Sequence, residues 1–324
     1  MNMDRRDFLG AAAAGLATQG LASAAEKLPT RVLGRTGAKV SILAFGAGSR
    51  FLSYKEEDAA LSALTKALDL GITYIDTADD YGKGHSSEQR VGKVLKGRRE
   101  GVFLATKLTP RRGDEAEKSF EDGLKALQMD RVDLLHIHGL TTAEDLAAIE
   151  AKGGVLERLL KFRDQKMARF IGITSHADPI VLRTALERHD FDCVQMALNA
   201  GNVAMINGGG KRGMVPNPEI KTSFETDALP IAIRKKMGVL AIKTYAQDAL
   251  IGQAPVDKLL SYTLSLPVAA AVVGMPKPEH IDDNVRMVKA FKQLPPGEMR
   301  RLAAVLSIRN KQALDSFFHS HVDG

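Results

Sequence analysis

The chain has 324 residues, 44% of them apolar, and 45 Lys and Arg against 39 Asp and Glu give a formal charge of +6. The apolar share supports a sizeable core, and one α/β barrel of about 250 residues with terminal additions fits the length. The basic balance comes without a basic stripe interleaved with aromatics, and Trp is absent, so no nucleic-acid partner is expected. The single cysteine, Cys193, excludes an internal disulfide and a cysteine-built zinc site.

In chain order, the first segment reads as a targeting signal rather than as fold. Arg5-Arg6 precede Asp7, Phe8 and Leu9, then come an Ala/Gly-rich apolar run and Ala22-Ser23-Ala24. A charged start, a short apolar run and an Ala-x-Ala site make a signal peptide, and the arginine pair is the twin-arginine form. The expectation is a signal over residues 1–24, a mature chain over 25–324, the twin-arginine translocase as an export partner, and a periplasmic location. Gly15, Thr18, Gln19 and Gly20 interrupt the run, so no stable membrane anchor is expected.

Strand-like runs then alternate with helical patterns. Thr30–Leu33 with Gly34 and Gly37 predicts a hairpin ahead of Val40–Phe45, the first strand, and Glu56–Leu70 predicts the first helix. The pairs that follow are Thr73–Ala78 with Ser87–Lys96, Val102–Lys107 with Asp114–Gln128, Val132–His138 with Ala143–Gln165, and Phe170–Ser175 with Pro179–Arg188. Cys193–Leu198 is followed by a long loop, Asn199–Pro218, and a helix over Ala228–Met237. Val239–Thr244 with Pro255–Leu264, and Ala269–Val273 with Pro278–Phe291, complete eight units. Eight β-then-α units close a parallel (β/α)8 barrel. Two helical stretches after Pro295-Pro296 predict a C-terminal extension.

Polar side chains fall at the C-terminal ends of consecutive strands, where barrel enzymes place their sites. They are Asp76 with the following Tyr81, then Lys107, then His136 and His138, then Ser175 and His176. Together they suit the reduction of a carbonyl by hydride, which leaves an alkoxide needing a proton. A tyrosine phenol donates one if a neighbouring cation lowers its pKa. Lys107 is the candidate cation, Asp76 its anchor, and His138 the group that orients the carbonyl oxygen.

On these residues the chain resembles the aldo-keto reductase superfamily. The carrying segments are Gly71–Ala78 with Tyr81-Gly82 and Ser87-Glu88, Phe103–Lys107, Asp133-Leu134 with His138, Ile171–Ser175, Gln195 with Asn199, Gly238–Ala241, and Val273–His280 with Asp283-Asn284. The resemblance implies an NADPH-dependent reductase of aldehydes or ketones, NADH being possible as cofactor. It assigns Tyr81 as acid, Lys107 as its activator, Asp76 as partner of Lys107, and His138 as the orienting group. It further implies that Ser175 and Gln195 meet the nicotinamide carboxamide, that Lys277 takes the 2′-phosphate, and that Asp283 and Asn284 lie near the adenine. Lys243 stands where Ser is commoner and is a further cofactor contact; Ile242 stands where many relatives carry an aromatic.

Two other readings compete. His136 and His138 share one side of a strand, a pattern open to a metal-dependent barrel hydrolase. A barrel that senses a nucleotide without turnover is the other.

Overall fold

The structure, a computed structural model, describes residues 27–208 and 214–319; the expected signal lies outside them. The chain opens with a hairpin, β1 (Thr30–Val32) antiparallel to β2 (Lys39–Ser41). Barrel strand β3 (Leu43–Gly46) follows, then α1 (Ser49–Leu52), α2 (Glu57–Asp69), β4 (Tyr74–Asp76), α3 (Ser86–Leu95), β5 (Phe103–Leu108) and α4 (Gly113–Leu127). Next come β6 (Val132–Ile137), α5 (Ala143–Glu150), α6 (Val155–Asp164), β7 (Ala168–Ser175), α7 (Pro179–Arg188) and β8 (Cys193–Ala197). A short antiparallel pair, β9 (Met205–Asn207) and β10 (Met214–Pro216), precedes α8 (Leu229–Arg234), β11 (Gly238–Ile242), α9 (Val256–Ser265), β12 (Ala270–Val273), α10 (Pro278–Lys289) and α11 (Pro296–His319).

Eight parallel strands close on themselves in the order β3, β4, β5, β6, β7, β8, β11, β12, and β12 pairs back to β3. The (β/α)8 barrel read from the sequence is therefore the fold. No helix among the described residues is long and apolar enough to cross a membrane.

Strand alternation sorts each strand into two faces. Tyr74, Phe103, Ala105, Leu134, Cys193, Leu240, Ala270 and Val272 fill the barrel interior, while Ile75, Leu104, Leu135 and Ile171 pack outward against the helices. Asp76, Lys107 and His136 continue the inward face of their strands, so the interior turns polar toward its C-terminal end.

The hairpin seals the opposite end. Leu33 and Val40 are fully buried in the interior cluster. Arg31 donates to the carbonyls of Leu264 and Val268, and Arg35 to that of Phe191. Gly34 adopts φ +48°, and a Cβ there would lie 2.3 Å from the Met237–Gly238 backbone, so only glycine fits.

Local departures from the expected elements have local causes. The run Val40–Phe45 divides at Ile42, whose N–H bonds to the Pro29 carbonyl, giving its first part to the hairpin. The helix expected over Ala143–Gln165 is two, parted by Gly153-Gly154, with Gly153 at φ +73°. One helix, α11, stands where two stretches were expected, and the long loop carries the β9–β10 pair.

Candidate active site

The C-terminal mouth of the barrel opens into a cavity of about 490 Å³. Asp76, Tyr81, His138, Thr174, His176, Gln195 and Lys243 are among the residues lining it. A larger hollow of about 1270 Å³ lies at the other end among the loops preceding β5, β6 and β7, and holds none of them. Chemistry, rather than size, therefore selects the mouth.

Register sets the centre of the site. Asp76 pairs with Ala105, and Lys107 with His136, across adjacent parallel strands. Lys107, only 1% exposed, donates to Asp76 Oδ2 at 2.6 Å and to the Thr77 carbonyl at 2.7 Å. Its Nζ stands 3.3 Å from the Tyr81 hydroxyl and 4.7 Å from the Tyr81 ring centre. Gln195 Nε2 donates to the other Asp76 oxygen at 3.0 Å. Both carboxylate oxygens are thus occupied, which holds the buried charge in place.

Tyr81 rides on the loop after β4. Gly82 at φ +84° turns the chain back, and Ser87 N–H closes the turn on the Tyr81 carbonyl at 3.0 Å. Gly48 lies against the ring face, where a Cβ would come within 3.3 Å of it.

Burial works against the charge on Lys107, but Asp76 and Tyr81 prevail and its pKa rises above the ordinary lysine value. Burial pushes the Tyr81 phenol up, and Lys107 only partly offsets this. The sequence reading expected Lys107 to lower that phenol. Desolvation wins instead, and the Tyr81 phenol keeps its proton at neutral pH.

His138 meets the Tyr81 ring edge-on at 5.5 Å. Its Nδ1 lies 3.1 Å from Asp80 Oδ1 and 3.3 Å from Thr109 Oγ1. His136 is sealed in the barrel with neither ring nitrogen hydrogen-bonded. Burial, then Lys107 and His138, hold its pKa well below the usual value. Its neighbour across the strands is Gly172, where a Cβ would come within 2.4 Å of His136 Nδ1. Among the described residues, the group close enough to share an ion is Asp79, Asp80 and His138, without His136. Asp79 is already bonded by Thr109 and Ser119.

Of the expected cofactor contacts, Gln195 and Lys243 line the cavity and Ser175 does not. Ser175 lies on the outward face of β7, its hydroxyl donating to the Leu140 carbonyl at 2.7 Å. Thr174, which sequence reading passed over, shares the inward face with Phe170 and Gly172 and lines the cavity; that alternation was the signal for it. Lys277 is exposed ahead of α10, Asp283 is paired with Arg286, and buried Asn284 accepts from the Tyr245 hydroxyl at 3.2 Å. These three lie outside the lining of the cavity.

The mouth suits a dinucleotide. Gly46, Gly48 and Gly274 keep its wall bare, and Arg50 and Lys243 bring positive charge. Burial, then Arg50 and Lys107, lower Lys243 to about 8. Burial, then Lys243 and His138, lower His176 to about 3. Lys243, Ala246, Gln247 and Asp248 all adopt positive φ, and an ion pair between Asp248 and Arg50 spans from this loop to α1. Such concentrated backbone strain is typical of ligand clamps.

A model of the Aldo/keto reductase family matches residues 43–204. The chain is 28% identical to L-galactose dehydrogenase of Arabidopsis thaliana over 309 residues, covering 83% of this chain and 90% of that protein. An aldo-keto reductase of Klebsiella pneumoniae solved in complex with NADPH superposes with a TM-score of 0.68 at 21% identity, covering 87% of this chain and 96% of that one. A Bacillus halodurans aldo-keto reductase in its holo form gives 0.66 at 24% identity, with coverage of 86% and 96%.

Proposed function

Because this chain belongs to the aldo/keto reductase family, we propose that it reduces an aldehyde or ketone to the alcohol with NADPH, Tyr81 acting as proton donor. The observation that carries the reading is the buried contact chain from Asp76 through Lys107 to the Tyr81 hydroxyl. NADPH, when bound, would supply the hydride at its nicotinamide ring. As hydride reaches the carbonyl carbon, the C=O π pair takes the Tyr81 proton and becomes the alcohol O–H. The phenolate left on Tyr81 sits beside Lys107, whose charge Asp76 secures. His138 would hold the carbonyl oxygen at the mouth.

Gln195 and Thr174 would face the nicotinamide, and Lys243 with Arg50 the phosphates. Fluorescence titration with NADPH and NADH, then loss of nicotinamide absorbance with a panel of aldehydes, tests the reading. Turnover supports it; failure to bind either nucleotide overturns it.

NADPH preference would rest on Lys277 with the open first turn of α10, since helix N-termini favour phosphates. Lys277→Ala is expected to weaken NADPH binding about 10- to 100-fold, from loss of a charge-assisted bond worth roughly 1.5–3 kcal/mol. NADH binding should be unchanged. An equal loss for both nucleotides would remove Lys277 from the 2′-phosphate.

We also propose that residues 1–24 direct export to the periplasm by the twin-arginine route, on the strength of Arg5-Arg6-Asp7-Phe8-Leu9 and Ala22-Ser23-Ala24. Changing Arg5 and Arg6 together to Lys should keep the protein unprocessed in the cytoplasmic fraction. Fractionation identical to that of the unaltered chain would refute this.

A further inference from the structure

We propose that His85 is a positioning residue for Tyr81: together with Asp79 it pins the tyrosine loop to β5, the strand that carries Lys107, and so fixes the separation of hydroxyl and ammonium. The inference rests on the reductase reading above and goes beyond it.

The loop between β4 and α3 is held on both sides of Tyr81. Ahead of it, the Asp79 carboxylate accepts from the Thr109 N–H at 3.0 Å, the Thr109 hydroxyl at 2.8 Å and the Ser119 hydroxyl of α4 at 2.7 Å. Beyond it, His85 Nδ1 meets Glu88 Oε2 at 2.5 Å. An ionised carboxylate only accepts, so Nδ1 supplies the hydrogen. The other Glu88 oxygen accepts from the Thr106 hydroxyl at 2.6 Å. Thr106 and Thr109 bracket Lys107 in sequence, so both anchors end on the stretch of chain that presents the ammonium.

Glu88 is a firm anchor. It and Thr106 are each 1% exposed. Helix α4 closes over the Glu88 carboxylate at Gly123, where a Cβ would lie 3.0 Å from both oxygens. Beside it, the Ser87 hydroxyl donates to the Ala47 carbonyl at 2.6 Å, which ties the first turn of α3 to the end of β3.

The segment that His85 joins to this anchor has few other ties beyond the Ser87 N–H on the Tyr81 carbonyl. Gly82 and Gly84 adopt φ +84° and +61°, and Lys83 between them is exposed. Gln89 reaches the Gly84 carbonyl at 2.7 Å, but from an exposed side chain where water competes. His85 itself takes a left-handed backbone, φ +61° and ψ +32°, which a residue with a side chain holds only where its surroundings impose it. The bond from its half-buried ring to Glu88 imposes it here. What the clasp secures is the 3.3 Å between Lys107 Nζ and the Tyr81 hydroxyl. A displacement of about 1 Å in a reacting group can cost about 10²-fold in rate.

The test uses the full chain with NADPH and one aldehyde. His85→Gly accommodates the left-handed backbone but lacks the donor. His85→Asn also tolerates that backbone and offers an amide N–H close to where Nδ1 stands. Lys83→Gly gives the loop similar added freedom without touching either anchor. The expected result for His85→Gly is a kcat about 10- to 100-fold down, with the KM for NADPH and the urea midpoint little changed. The Tyr81 ring signals, followed by NMR and assigned by their absence in Tyr81→Phe, should move. His85→Asn should restore both readouts, and Lys83→Gly should match the parent. A parent-like kcat in His85→Gly, or an equal loss in Lys83→Gly, overturns the proposal. So does a loss that His85→Asn leaves uncorrected, or one with unmoved Tyr81 signals. Absence of turnover in every protein, with the Tyr81 signals still moved by His85→Gly and returned by His85→Asn, leaves the clasp standing and sinks the reductase reading instead.

Discussion

Tyr81→Phe is expected to lower kcat for aldehyde reduction by about 10²–10⁴-fold, the usual contribution of a positioned general acid. The substitution deletes one oxygen and leaves the ring packed against Gly48 and edge-on to His138. Lys107 keeps Asp76 and the Thr77 carbonyl as partners, so the buried ammonium is not stranded. Folding and nucleotide affinity should therefore survive, and the loss should fall on kcat. Single-turnover absorbance with bound NADPH measures it directly. Retention of more than a tenth of the rate would remove Tyr81 from the role of acid and point to His138 as the donor.

Lys107→Met should cost both activity and stability. Methionine approximates the volume of the lysine stem but leaves Asp76, 3% exposed, with Gln195 as its one remaining side-chain partner among the described residues. Breaking a buried ion pair by removing one member typically costs about 3–5 kcal/mol. The lysine pKa is raised in the folded state, so its stabilisation is fully present below the unfolded lysine value and fades as pH climbs through the folded one. The difference in urea midpoint between the two proteins should accordingly be flat from pH 6 to about 9 and shrink only in stronger alkali. Activity should fall alongside, because a phenolate forming on Tyr81 would have no cation beside it. A variant as stable as the parent would show that Asp76 is neutralised in some other way.

The barrel was legible because its strands, covered on both faces, read as short apolar runs separated by helical periods. Asp76, Tyr81, Lys107 and His138 were legible because each falls at or just beyond the end of such a run. What sequence reading lost depends on direction rather than on residue type. Ser175 and Thr174 are adjacent hydroxyls, and only the alternation inherited from Phe170 decides which one faces the mouth. The division at Ile42 depends on a hydrogen bond to Pro29, which no local pattern announces. Asp80 reads as a loop carboxylate until the fold brings it to His138. The direction of the Tyr81 shift depends on how much water is excluded, a property of the assembled barrel.

The hairpin bolted across the lower end by Arg31 and Arg35 also decides how the molecule can be handled. The described chain begins beside that hairpin, with Leu28 packed near Gly71 just before β4, at the pole remote from Tyr81. At the other terminus, Ser307 of α11 reaches the carbonyl of Gly201 in the loop that follows β8, on the side of the mouth. A tag, a fusion partner or a solid support joined ahead of Lys27 therefore leaves the reacting pole open to solvent.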